Sequence, residues 1–175
     1  EVGVRLNEEV KLEVVNVPDG GEYFSCHVVG RTDALDALME ELGTFCESAP
    51  KLSAPLALHE PCAAQFRDDG LWYRAIVEKL KSGGEHDVLF VDYGNAQSCG
   101  VDLLRRLEDR FITLPIQRLD CTMRGMKRSV AQALTDALVG QQFGARVEAI
   151  ANNIVTVELK TDSGAPLRET YPELF

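Results

Sequence analysis

The stretches Leu71-Trp72-Tyr73-Arg74-Ala75 and Phe90-Val91-Asp92-Tyr93-Gly94-Asn95 decide how this 175-residue chain is read. Around them, short strand patterns fall at Cys62–Phe66, Trp72–Leu80, Asp87–Asp92 and Asn95–Cys99. The breaks between them are Asp68-Asp69-Gly70, Ser82-Gly83-Gly84 and Gly94. Strands this short and this closely spaced predict a small, strongly bent barrel. In a flat strand Phe90 and Tyr93 would lie on opposite faces, because side chains alternate. If both line one pocket, the chain bends between them, and glycine at 94 allows the bend beside Asp92.

Outward from this region the pattern changes. Val10, Leu12, Val14 and Val17 alternate with polar residues, break at Pro18-Asp19-Gly20-Gly21 and resume at Tyr23 to Val29, which predicts a β-hairpin. Leu35, Leu38, Met39, Leu42, Phe45 and Cys46 recur at helical spacing behind Thr32 or Asp33, so residues 33–48 form an amphipathic helix. Pro50, Pro55 and Pro61 mark an extended connector. Beyond the barrel lie a brief helical stretch at Val101 to Leu107 and a strand around Leu119–Met123. A helix follows from Ser129 to Val139, with Ser129 and Gln132 at capping-box spacing, Val130 in its buried stripe and Gly140 at its end. A last hairpin, Phe143–Ile150 and Ile154–Thr161, turns at Asn152-Asn153, and the remainder to Phe175 reads as extended. Neither flank has enough strands to close a sheet alone. The economical arrangement joins residues 1–54 and 111–175 into one domain, with 55–110 inserted between them.

The two quoted strings, with Tyr73 and Phe90 seventeen residues apart, resemble the Tudor domain in its extended form. The resemblance implies a mainly β fold with helices (α+β): a Tudor barrel inserted into a staphylococcal-nuclease-like OB-fold unit, the flank, insert, flank order just described. Ligand-binding members carry four aromatic residues and one asparagine, which fall here on Phe66, Tyr73, Phe90, Tyr93 and Asn95. The resemblance implies a reader of symmetrically dimethylated arginine in Arg-Gly or Arg-Ala tails, most often of Piwi-class proteins. It also implies a place in the piRNA pathway, in cytoplasmic and perinuclear ribonucleoprotein granules, with no enzymatic activity and no cofactor.

The chemistry of the residues agrees with that implication. A dimethylated guanidinium keeps its charge, gains apolar methyls and loses N–H donors, so aromatic faces suit it better than a carboxylate fork. Asn95 can accept a hydrogen bond from a remaining guanidinium N–H without burying an anion. Aromatic residues in a small barrel are ordinarily core; the matched spacing turns these into a cage. Trp72, on the other face of its strand with Ile76, is assigned to packing, and Asp92 to supporting the turn. Asp68 and Asp69, beside the cage mouth, belong to a solvated turn that is also a candidate contact for a peptide's flanking arginines.

Charge points the same way. The net charge is −10, with four basic against eleven acidic side chains in residues 1–54, seven against ten in 55–110, and seven of each in 111–175. Such a surface repels a phosphate backbone and attracts a basic ligand. The acidic residues of 1–54 are expected to receive the rest of a basic peptide. The five cysteines, Cys26, Cys46, Cys62, Cys99 and Cys121, have no Cys-x-x-Cys pair and no histidine at ligand spacing. They fit reduced thiols in a cytosolic or nuclear protein better than a disulfide framework or a zinc site. No run reaches the roughly 18 apolar residues of a membrane span, and the start, Glu1-Val2-Gly3-Val4-Arg5, has no signal-peptide pattern. Three alternatives stand beside the reader. Nuclease activity would have to draw on Arg31, Asp33, Asp36 and Glu40, which lack the nuclease motif and are explained by a polar helix face. The other two are RNA binding on the OB-like part and a scaffold for an unmodified partner.

Overall fold

A computed structural model describes residues 3–127 and 131–175 and divides the chain into two compact units, one of residues 1–32 with 117–175 and one of residues 33–116. The parts of the predicted capping box and stripe that fall on Ser129 and Val130 lie outside the described residues, as do Glu1 and Val2.

The first unit is built from strands β1 (Glu9–Asn16), β2 (Phe24–Val28), β8 (Leu119–Thr122), β9 (Gln142–Ala151) and β10 (Ile154–Lys160). They close into a barrel in the order β1-β2-β8-β10-β9, so the two flanks complete one another as expected. β8 and β10 are parallel and the other pairs antiparallel. Alternation along each strand sends Leu12, Val14, Phe24, Cys26, Val147, Val155 and Val157 into one core, which Leu134 and Leu138 of helix α2 (Ala131–Leu138) join. The β9–β10 turn carries Asn152 at φ 52° and Asn153 at φ 63°. Asparagine tolerates this left-handed pair better than most residues, and the pair suits a two-residue hairpin. The end of the chain corrects the expectation of an extended piece. A short helix α3 (Leu167–Thr170) and a 3-10 turn (Pro172–Leu174) bury Leu167 and Leu174 in the same core.

The second unit holds helix α1 (Asp33–Ser48) and strands β3 (Pro61–Gln65), β4 (Trp72–Leu80), β5 (His86–Phe90), β6 (Ala96–Cys99) and β7 (Leu104–Arg106). The sheet is antiparallel in the order β6-β5-β4-β3-β7. All five strands contribute to one apolar cluster (Cys62, Ala64, Ala75, Val77, Val88, Phe90, Cys99 and Leu104), so the sheet bends around it. Its other face packs Trp72 and Ala63 against Leu42 and Cys46 of α1 and against Phe111. By its contacts α1 therefore belongs with this sheet, whereas the sequence expectation groups residues 1–54 with the flanks. The stretch 101–107 also departs from expectation: only Val101–Leu103 is helical, and Leu104–Arg106 is a strand paired with β3. All five cysteines are free and buried. Among the described residues no helix is long and apolar enough to cross a membrane.

Candidate functional site

Two turns on one side of the second unit gather the predicted aromatic residues. The first is the β3–β4 hairpin. Phe66 N–H donates to the Leu71 carbonyl at 2.9 Å, and Gly70 N–H donates to the Phe66 carbonyl at 2.9 Å, which sets Phe66 at the hairpin's mouth. Tyr73 lies on β4 opposite Ala64, and Ala75 lies opposite Phe90. Tyr73 and Phe90 are thus diagonal neighbours on one face, where the small alanines leave room for the rings.

The second turn follows β5. The Phe90 carbonyl accepts N–H bonds from Tyr93 (3.2 Å) and Gly94 (2.8 Å), and the Phe90 N–H donates to the Asn95 carbonyl at 2.9 Å. Gly94 has φ 91°, in the left-handed region that favours glycine. This is the bend required between Phe90 and Tyr93, and it brings both rings to Tyr73.

The rings meet edge to face. Tyr73 lies 6.3 Å from Phe66, 5.7 Å from Phe90 and 5.2 Å from Tyr93, and Phe66 lies 5.4 Å from Phe90. Interplanar angles run from 76° to 86°, so these are walls at right angles and not a stack. Phe90 is buried, at 1% exposure, while Phe66, Tyr73 and Tyr93 are half-buried. Asn95 is half-buried on the same turn as Phe90 and Tyr93. Both acidic candidates sit on the β3–β4 hairpin: Asp68 is exposed, and Asp69 accepts a hydrogen bond from the Tyr73 hydroxyl at 2.7 Å. Burial, that bond and the Asp69 charge hold the Tyr73 phenol above its ordinary range, so it stays a neutral donor.

Trp72 is core, as expected, with the Arg105 guanidinium 4.7 Å from its ring centroid. Asp92 supports the turn, through a partner the sequence reading does not single out. Arg74, on the face of β4 opposite Tyr73, grips it with two bonds, Nε to Oδ2 at 2.9 Å and Nη2 to Oδ1 at 2.8 Å. The signal for it is an arginine amid apolar strand residues with an aspartate in the next turn but one. Gln97 is a second support beyond the sequence reading. Its side chain accepts the Arg67 N–H at 2.9 Å and donates to the Gln65 carbonyl at 3.0 Å, tying the Phe66 hairpin to β6. Of the residues weighed for nuclease chemistry, Arg31 is engaged by Glu8 at 2.6 Å and by the Gly3 carbonyl. Asp33 and Asp36 occupy the first turn of α1, where the helix dipole favours acids.

A closed five-stranded barrel, an inserted bent sheet and a cage of perpendicular rings on two tight turns are the features of an extended Tudor domain. The chain belongs to the Tudor domain family, whose model matches residues 4–125. Among curated proteins it resembles human Tudor domain-containing protein 1, at 33% identity over 185 aligned positions that cover the whole chain but 15% of that protein. The mouse protein of the same name is 32% identical over 97% of the chain and 15% of its own length. Among solved structures, the extended Tudor domain TD3 of mouse TDRD1, in complex with a MILI peptide containing dimethylarginine, superimposes with a TM-score of 0.85. That match has 28% identity and covers 98% of this chain and 93% of the other. The extended Tudor domain of Drosophila Tudor-SN shares the fold, with a TM-score of 0.82 at 20% identity, covering 94% of this chain and 81% of the other.

Proposed function

We propose that this chain reads methylated arginine, taking a symmetrically dimethylated side chain into the cage of Phe66, Tyr73, Phe90 and Tyr93 with Asn95 as hydrogen-bond acceptor. The observation that carries the proposal is the right-angled set of four rings, three of them half-buried and the fourth buried. Such faces attract a methylated cation by about 0.5–2 kcal/mol each. The solved mouse domain with its dimethylarginine peptide supports the choice of ligand. The net charge of −10 favours an arginine-rich partner. In this proposal the partner is an Arg-Gly or Arg-Ala tail of a Piwi-class or similar protein. The chain is a non-enzymatic module that needs no cofactor, working in cytoplasmic ribonucleoprotein granules of the piRNA pathway.

Calorimetry with matched Arg-Gly peptides, unmodified and symmetrically dimethylated, tests it. The methylated peptide binds more tightly, and Tyr93→Ala weakens it by about 0.5–2 kcal/mol. Equal affinity for both peptides, or no loss in Tyr93→Ala and Asn95→Ala, would overturn the proposal.

A further inference from the structure

We infer that Asp69 is a positioning residue of the cage, fixing the tilt of the Tyr73 ring and thereby setting how well the site holds a methylated guanidinium. The inference rests on the methylarginine reading and gives Asp69 a different task from a solvated turn or a flank contact.

Both carboxylate oxygens are engaged. Oδ1 accepts the Leu71 N–H at 2.8 Å, and Oδ2 accepts the Tyr73 hydroxyl proton at 2.7 Å. The first bond alone is the ordinary reason for an aspartate in a turn. The second is not needed to make the turn, and it reaches a ring in contact with Phe66, Phe90 and Tyr93 together. A phenolic oxygen sits at the far end of the ring from the backbone, so a bond there restrains the ring at both ends. The loop that carries Asp69 is itself anchored. Gln65 Nε2 donates to the Gly70 carbonyl at 2.8 Å, and Gln97 holds the Arg67 N–H. A phenol that donates to a carboxylate also presents a more electron-rich oxygen to a nearby cation. Burial first and this bond second hold the Tyr73 phenol above its ordinary range.

The test is a double-mutant cycle on affinity for the symmetrically dimethylated Arg-Gly peptide, run at about 0.5 M salt so that long-range attraction to the carboxylate is screened. D69A weakens binding about three- to tenfold, the net range of one ordinary hydrogen bond at a partly exposed site. D69N keeps one oxygen to accept the Leu71 N–H and turns an NH2 towards the Tyr73 oxygen, which can accept from it, so affinity returns to within about twofold of the wild type. In the Y73F background D69A costs less than about twofold. An equal loss from D69A with and without the Tyr73 hydroxyl would overturn the inference, because Asp69 would then act on the peptide directly. Alkaline spectrophotometric titration supplies a readout without peptide: the tyrosine component missing in Y73F ionises at lower pH in D69A. An unmoved component would also overturn the inference. If wild-type protein fails to distinguish the methylated peptide, the methylarginine reading falls while the titration still decides the Asp69–Tyr73 bond.

Discussion

Removing either member of the Arg74–Asp92 pair is expected to unfold the second unit more readily than truncating most of its apolar side chains. The two side chains are 4% and 2% exposed. All five guanidinium N–H groups are matched: Nε and one of Nη2 to Asp92, the other of Nη2 to the Pro115 carbonyl at 3.2 Å, and Nη1 to the carbonyls of Phe111 (3.1 Å) and Leu114 (2.6 Å). The pair therefore fastens three pieces of chain: strand β4, the turn that carries Tyr93 and Asn95, and the segment leaving the sheet at 111–115. Asp92→Ala removes the counter-charge of a buried guanidinium, and Arg74→Met removes both of its bonds to Asp92 and its three to backbone carbonyls. Breaking a buried pair by removing one partner costs about 3–5 kcal/mol, far above the 0–1 kcal/mol of an exposed pair. That is a large share of the roughly 5–15 kcal/mol that holds a domain folded.

The assay is urea denaturation followed by fluorescence of Trp72, the single tryptophan, which is buried against α1 in this same unit. With a slope of about 1–2 kcal/mol per molar urea, each single replacement lowers the midpoint by roughly 1.5–5 M or unfolds the unit outright. The double variant Arg74→Met with Asp92→Ala leaves neither charge buried without the other and is less destabilised than the sum of the singles by about 2 kcal/mol or more. Single replacements that each cost under about 1 kcal/mol, or a double variant equal to their sum, would refute the argument.

Three further outcomes concern Gly94 and the buried thiols. Gly94→Ala, forced to φ 91°, loses about 1–2 kcal/mol and weakens methylated-peptide binding by displacing Tyr93 and Asn95; an unchanged urea midpoint would contradict the need for glycine there. Burial pushes the Cys46 and Cys62 thiols up from an ordinary value near 9 to about 12, so the stability they contribute is complete below about pH 9 and declines as pH rises towards 12. Urea midpoints are therefore lower at about pH 10.5 than at pH 8, and a thiol-specific disulfide reagent at pH 8 modifies the five cysteines only once urea has unfolded the chain.

How much of this was legible in the sequence depends on how local the cause is. Helix α1 at Asp33–Ser48 and strand β4 at Trp72–Leu80 match expectation because their periodicity is long and uninterrupted. The hairpin turn at Asn152-Asn153 is legible because asparagine tolerates the left-handed conformation there. Strand β7 escaped because three residues, Leu-Arg-Arg, show no alternation. Its Arg105 is buried against Trp72, which hides an inward position behind a charged residue, and pairing with β3 decides its conformation. Helix α3 escaped for a similar reason: four residues after Pro166 have little propensity of their own and are held by the burial of Leu167.

The candidate site divides along the same line. Four rings and an asparagine are named through the resemblance of two short strings to the Tudor family, since two short turns fix their positions relative to the strands that carry them. What makes those rings a rigid box is not local. Gln97 reaches from β6 to the hairpin after β3, and Arg74 reaches from β4 to the turn after β5 and to residues 111–115. Each belongs to a residue type common on surfaces, and only the fold shows that it is spent on holding a wall. A sequence that kept Phe66, Tyr73, Phe90, Tyr93 and Asn95 but lost Arg74 or Gln97 would keep the motif and lose the geometry. The supports, more than the rings, therefore distinguish a preorganised cage from an aromatic cluster that must assemble around its ligand at a cost in affinity.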